Sequence, residues 1–165
     1  MVRAWGETYK LPTIITNCSN NFGARQHSEK LIPTVIKSAL DGKIIPIYGN
    51  GKNIRDWIYV EDHCFGIELA IAKGKLGESY CFGGDAERQN IDIAGQICKI
   101  LDGLKPKADS TSYANQIKFV EDRKGHDLRY AIDSSKSKRE LGFKIEGSFE
   151  EKLQNTVKWY LGLSS

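Results

Sequence analysis

Apolar positions recur at two spacings along this chain, one typical of strands and one of helices, and their alternation predicts an α/β fold. Thr13-Ile14-Ile15-Thr16 is a β-branched run apolar towards both faces, which predicts an interior strand of a parallel sheet. Ahead of it, residues 2–9 read as the last turns of a helix without an N-cap, stopped at Leu11-Pro12. Leu31, Ile32, Val35, Ile36, Ala39 and Leu40 mark one helical face, with Ser28 as cap, Pro33 in the first turn and Asp41-Gly42 as the end. Residues 44–48 and 53–60 are extended, and Gly49-Asn50-Gly51 supplies the positive-φ turn between them. A helix over residues 63–73 follows, capped by Asp62 and carrying Phe65, Ile67, Leu69, Ala70 and Ile71.

Beyond it, residues 79–82 form a short strand ending at Gly83-Gly84. Asn90 or Asp92 caps a helix whose Ile93, Ile97, Ile100 and Leu101 repeat at helical spacing up to Gly103. Residues 105–115 read as a polar surface loop and 117–120 as a strand that delivers the loop Glu121-Asp122-Arg123-Lys124-Gly125-His126-Asp127. A short basic helix starts at Ser134 or Ser135 and stops at Leu141-Gly142. Ser148-Phe149-Glu150-Glu151 is a capping box for a last helix through Leu161.

Composition changes this picture little. The 165 residues are 40% hydrophobic and 27% charged, values of a globular domain. No apolar run approaches the roughly 20 residues of a membrane span, and the start lacks the basic and apolar regions of a signal peptide, so the expectation is a cytoplasmic protein without a membrane partner. Net charge is +3, with lysines and arginines dispersed, which argues against a nucleic-acid surface. Cys18, Cys64, Cys81 and Cys98 show no metal or disulfide spacing and read as reduced packing residues.

Candidate chemistry narrows to anion recognition. No Gly-x-Gly-x-x-Gly turn joins a strand to a helix, His27, His63 and His126 lack metal-ligand spacing, and no Gly-x-Ser-x-Gly elbow is present. His63 and Cys64 read as a packing pair. Arg55 stands in an apolar run beside Asp56 and Trp57. It is either half of an Arg55–Asp56 ion pair or a fork waiting for phosphate oxygens. Lys30, Arg123 and His126 also lie on or beside loops, and Asn17-Cys18-Ser19-Asn20-Asn21-Phe22-Gly23 is a polar loop where open α/β sheets place ligands.

Taken together, five stretches resemble the dTDP-glucose 4,6-dehydratases of the extended short-chain dehydrogenase/reductase family. They are Thr16-Asn17-Cys18-Ser19-Asn20-Asn21-Phe22-Gly23, Glu29-Lys30-Leu31-Ile32-Pro33, Pro46-Ile47-Tyr48-Gly49, Arg55-Asp56-Trp57-Ile58-Tyr59-Val60-Glu61-Asp62 and Asp122-Arg123-x-Gly125-His126-Asp127-x-Arg129-Tyr130-Ala131-Ile132-Asp133. The resemblance implies a carboxyl-terminal, substrate-binding half: a partial Rossmann-like parallel sheet remnant over residues 1–23, then a mixed α/β nucleotide-sugar-binding region over residues 24–165. By position it implies that Asn20, Lys30, Leu31, Pro46, Tyr48, Arg55, Asn90, Arg123 and His126 line a dTDP-sugar pocket, with Arg55 and Arg123 at the diphosphate. Cys18 and Asn21 match positions near the nicotinamide end of NAD. The run Ala24-Arg25-Gln26-His27-Ser28 departs from the family pattern. The family's glycine fingerprint, Tyr-x-x-x-Lys pair and Asp-Glu acid/base pair are implied to lie ahead of Met1. No catalytic residue is therefore expected in this chain, and the chain alone is expected neither to bind NAD nor to turn over. Homodimers are the family habit, and self-association through the N-terminal segment is expected here.

Overall fold

The computed structural model describes residues 1–163. Its elements run α1 (Val2–Tyr9), β1 (Ile15–Cys18), β2 (Asn20–Phe22), α2 (Leu31–Leu40), β3 (Ile45–Tyr48), β4 (Ile54–Tyr59), α3 (Val60–Lys73), β5 (Ser79–Phe82), β6 (Glu87–Gln89), α4 (Asn90–Leu104), a 3-10 turn (Tyr113–Gln116), β7 (Ile117–Val120), β8 (Arg129–Tyr130), α5 (Ser135–Leu141) and α6 (Phe149–Tyr160). The α/β class read from the sequence holds.

The strands form three groups. β1 pairs in parallel with β5, Ile15 opposite Ser79, and β3 pairs in parallel with β7, Tyr48 opposite Val120. β4 is the hub of the third: it runs parallel to β2 and β8 and antiparallel to β6. The turn at Gly49–Gly51 forms as expected, with both glycines at positive φ and Gly51 N donating to Tyr48 O at 3.1 Å. Yet it joins strands of different groups and does not pair β3 with β4.

Alternation along β4 divides the interior. Trp57 faces a main core built from Ile32, Val35 and Ile36 of α2, Ile45 and Ile47 of β3, Ile93, Ile97 and Leu101 of α4 and Leu153 and Val157 of α6. Ile58 faces a smaller one with Leu69, Tyr80, Phe82, Leu141 and Phe143. Each buried aliphatic or aromatic side chain contributes about 1.5–3 kcal/mol of transfer free energy, so the larger cluster holds α2, α4 and α6 against β3 and β4. Helix α1, in contrast, buries none of its residues.

Several helix starts differ from the sequence reading, each for a local reason. α2 begins at Leu31 and not after Ser28, because the ring of Pro33 would meet the carbonyl of Glu29 if the helix reached back that far. Ser28 instead accepts from Thr34 Oγ1 at 3.0 Å. α3 begins at Val60, so Asp62 lies inside its first turn, and its carboxylate takes Lys152 Nζ at 2.6 Å. Neither Asn90 nor Asp92 caps α4. β6 runs straight into that helix, and its first two N–H groups, of Asn90 and Ile91, donate to the carbonyls of Asn53 and Gly51 in the β3–β4 connection. Gly103 lies within α4, which continues to Leu104.

α3 also presents Phe65 and Ile71 outward, 44% and 78% exposed, where its expected apolar face was to be buried. The strand expected at residues 13–16 is observed two residues later, paired on one edge by β5 and with Thr16 and Asn17 exposed. The loop at 105–115 is not wholly superficial: Tyr113 is buried, and Asp102 accepts from Tyr113 N at 2.9 Å and Ser112 Oγ at 2.6 Å. The basic helix α5 starts at Ser135, whose N–H and hydroxyl both donate to Asp133. The capping box of α6 forms as read, Ser148 Oγ accepting from Glu151 N and Glu151 Oε2 from Ser148 N.

All four cysteines are free thiols, but only Cys98 is fully buried, its pKa pushed up to about 11, chiefly by burial. Cys64 is exposed, which corrects its reading as a packing residue. No helix among the described residues is long and apolar enough to cross a membrane, and no group of three metal-ligating side chains occurs among them.

Candidate anion site

The loop after β7 folds back over the end of β3, and the register Tyr48 opposite Val120 decides what meets there. Arg123 Cζ lies 5.1 Å from the centroid of the Tyr48 ring, and the His126 ring meets Tyr48 edge-on at 6.4 Å. Arg123 Nη2 is 3.2 Å from His126 Nε2, and His126 Nδ1 is 2.6 Å from Asp122 Oδ1. A guanidinium only donates, so Nε2 accepts from Arg123 and Nδ1–H donates to the carboxylate. Asp122 also accepts from Arg123 N at 2.8 Å. The His126 hydrogen bond first, then the Arg123 N–H and the nearby Arg123 charge, hold its carboxyl below the usual carboxylate value. Gly49 closes the cluster because its φ of 58° favours glycine and a Cβ there would lie 2.7 Å from Asp122 Oδ2.

Arg55 reaches the same loop from β4. Its Nη1 donates to Ile54 O at 2.7 Å and its Nη2 to Asp127 O at 2.9 Å, which leaves three of its five N–H groups unused. Asn53 Nδ2 takes the same Asp127 carbonyl at 3.0 Å. The Arg55–Asp56 ion pair does not form, since neighbours on a strand point to opposite faces. Asp56, 2% exposed, accepts instead from Gly84 N at 3.0 Å and Ala86 N at 2.9 Å. Among the described residues neither Arg55 nor Arg123 has a carboxylate within ion-pair distance. An open cleft of about 430 Å³ borders the cluster through Asp122, lined also by Gly49, Asn50, Lys52, Asn53, Ile54, Leu128 and Arg129.

Of the positions expected to bind a nucleotide sugar, Tyr48, Arg123 and His126 are thus in mutual contact, and Arg55 is tied to their loop. Asn90 is joined to Asn53, two residues before Arg55, through its backbone. Asn20 on β2, Lys30 and Leu31 at the start of α2 and Pro46 on β3 sit on separate elements, and none of their side chains is hydrogen-bonded to the cluster. Cys18 and Asn21 lie together at the carboxyl end of β1, with Asn21 Nδ2 3.1 Å from Cys18 Sγ. Asp122, Asn53 and the Asp127 carbonyl were missed; the Asp122 and His126 spacing of four in a Gly-containing loop was the available signal. The one Tyr-x-x-x-Lys spacing in the chain, Tyr48 to Lys52, straddles the Gly49–Gly51 turn, so it does not set the two side chains on a helical face.

A mixed α/β chain that gathers two arginines without a carboxylate among the described residues, a tyrosine platform and a histidine beside a cleft has the form of an anion-recognition site. The chain belongs to the GDP-mannose 4,6 dehydratase family, whose sequence profile matches residues 1–156. It is 55% identical over 161 residues to the dTDP-glucose 4,6-dehydratase of Salmonella typhimurium, a match covering 98% of this chain and 44% of that protein. The dTDP-glucose 4,6-dehydratase of Bacillus anthracis, solved in complex with NAD, superposes with a TM-score of 0.84 at 43% identity over 97% of this chain and 48% of that one. The Streptomyces venezuelae dTDP-glucose 4,6-dehydratase, solved with NAD and a second ligand bound, gives 0.83 at 44% identity over 97% and 47%. The chain therefore spans about half the length of the relatives it matches.

Proposed function

We propose that the chain is the substrate-binding portion of an NAD-dependent dTDP-glucose 4,6-dehydratase, a cytoplasmic lyase that converts dTDP-glucose to dTDP-4-keto-6-deoxyglucose in deoxysugar biosynthesis of the rhamnose type. The observation that carries the reading is the pair Arg55 and Arg123, both held in place by neutral groups and both without a carboxylate partner among the described residues. Arg123 is exposed and Arg55 half-buried, so both forks are open to a ligand, and a diphosphate offers bidentate oxygens to each. Tyr48, stacked under Arg123 and 43% exposed, keeps that guanidinium in one plane and offers a ring edge to the ligand. His126 accepts from Arg123 and so orients it, while Asp122 fixes the His126 tautomer. Lys30, Leu31, Pro46, Asn20 and Asn90 complete the pocket in this reading.

NAD supplies hydride chemistry in the whole enzyme. The residues present fit its nicotinamide end alone: the polar cluster of Cys18 and Asn21 lies at the carboxyl end of a parallel strand, where such folds bind ligands. No strand of the chain runs through a Gly-x-Gly-x-x-Gly turn into a helix, so the grip on a pyrophosphate is not among these residues. This chain's part is to bind and orient the nucleotide sugar, and alone it does not turn substrate over. The outward Val2, Trp5, Tyr9 and Leu11 support self-association, with a homodimer as the functional form.

The test is calorimetry with the purified chain. Saturable dTDP binding that is weakened in both Arg55→Ala and Arg123→Ala is expected. A chain that binds no dTDP, or binds it equally well without either arginine, overturns the assignment.

A further inference from the structure

A second polar network lies apart from the arginines, where β1 ends. Asn21 Nδ2 is 3.1 Å from Cys18 Sγ and 3.2 Å from Ser19 O, while Asn21 Oδ1 is 3.0 Å from His63 Nδ1 on α3. A carbonyl oxygen can only accept, so the Asn21 atom that faces Ser19 O is the amide nitrogen. The atom facing His63 is then the oxygen, and the imidazole must donate from Nδ1. Its Nε2 keeps the lone pair. Burial pushes the pKa of this ring down, consistent with a neutral imidazole, and the ring packs 6.1 Å from that of Phe82.

The backbone of Asn21 is anchored independently. Gln26 Nε2 donates to Asn21 O at 2.6 Å, and Gln26 O in turn accepts from Tyr160 Oη at 3.1 Å. What remains adjustable is the carboxamide, whose 180° rotation exchanges N and O at little steric cost. Ser19 O facing Nδ2 and a donor facing Oδ1 together remove that freedom, and His63 is that donor.

We propose that His63 is a positioning residue: its Nδ1–H, acting with Ser19 O, locks the orientation of the Asn21 carboxamide, which through Nδ2 holds the Cys18 thiol at the carboxyl end of β1. This rests on the reading that Cys18 and Asn21 face the nicotinamide end of NAD, and it gives that end of the site a rigid floor set from α3. Its test needs no cofactor, so it can fail while the NAD assignment stands, and can hold if full-length protein fails to bind NAD.

In the 15N-labelled chain, the His63 ring is expected to show a protonated Nδ1 and an unprotonated Nε2; the opposite tautomer overturns the proposal. Alkylation of Cys18 by iodoacetamide, resolved by peptide mass spectrometry against N-acetylcysteine in the same tube, gives the second readout. His63→Phe keeps a ring and removes the donor. It is expected to lower the Cys18 rate, by up to about fivefold, the factor carried by one hydrogen bond of about 1 kcal/mol, because the attacking thiolate loses an N–H donor, and to move the Asn21 side-chain amide resonances. His63→Asn, whose amide nitrogen reaches the place of Nδ1, is expected to restore both. Unchanged Cys18 reactivity and amide resonances in His63→Phe, or no recovery in His63→Asn, would refute the assignment. Should His63→Phe fail to fold, the wild-type tautomer and the His63→Asn rate decide it.

Discussion

Two pairs of arginines flank β4 and are treated in opposite ways. Arg129 on β8 is gripped bidentately by Glu87, at 2.7 and 2.6 Å, and Arg88 on β6 meets Glu150 at 3.2 Å. Arg55 and Arg123 are instead steadied by backbone carbonyls, an imidazole nitrogen and the face of Tyr48. Residue type is the same in all four. The carboxylate partner separates a guanidinium whose charge is already answered from one that can answer a ligand's. A carboxylate beside Arg55 would compete with any diphosphate for the same fork, whereas neutral acceptors fix its direction and leave the charge uncancelled.

The comparison can be broken most directly at Arg123. Arg123→Ala is expected to weaken dTDP binding about 10- to 100-fold, the range of a charged hydrogen-bonding group worth about 1.5–3 kcal/mol, while the melting midpoint stays near wild type. Arg55→Lys should cost about tenfold by calorimetry, because a point charge cannot reproduce the fork; equal affinities would mean that Arg55 is structural. Tyr48→Leu removes the stacked ring, and a loss of about two- to fivefold is expected from an exposed cation–π contact of 0.5–1 kcal/mol. Glu87→Gln provides the contrast: it frees Arg129, which lines the cleft beside the site, so dTDP affinity should rise slightly and not fall.

The smallest effect concerns acid. Asp122 is held below its ordinary value of 3.8, first by the His126 hydrogen bond. A depressed carboxyl stabilises the fold fully above its unfolded pKa and loses that contribution as pH falls through the lower folded value. The denaturant midpoints of wild type and Asp122→Asn should therefore differ by a constant amount at neutral pH and converge only once the pH drops below about 4. A difference that already shrinks between pH 7 and 5 would assign the effect to a histidine.

How much was legible beforehand follows from range in sequence. The α6 capping box was readable because donor and acceptor lie three residues apart, and the α2 face because it repeats within one helix. The caps expected at Asp62 and Asn90 failed for a non-local reason. Lys152, ninety residues away, claims the Asp62 carboxylate, and the carbonyls of Asn53 and Gly51 satisfy the first N–H groups of α4. In the candidate site, the motif around Arg123 and His126 lies on the loop where those two side chains meet Tyr48 and Asp122. The sequence left open whether Arg55 was paired with Asp56, a question settled by Gly84 N and Ala86 N taking that carboxylate.

By itself, then, the order of residues determined the α/β class, most element centres, the positive-φ turn at Gly49–Gly51 and the identity of the charged loop, because each depends on propensity, periodicity or backbone sterics within a few residues. Only the tertiary structure decided that β3 pairs with β7 and not with β4, that Tyr48 lies beneath Arg123, and that Arg55 keeps its charge unanswered. These depend on which strands meet across more than seventy residues. Sheet pairing is fixed by the burial of whole faces against α2, α4 and α6, a global balance that no local stretch encodes.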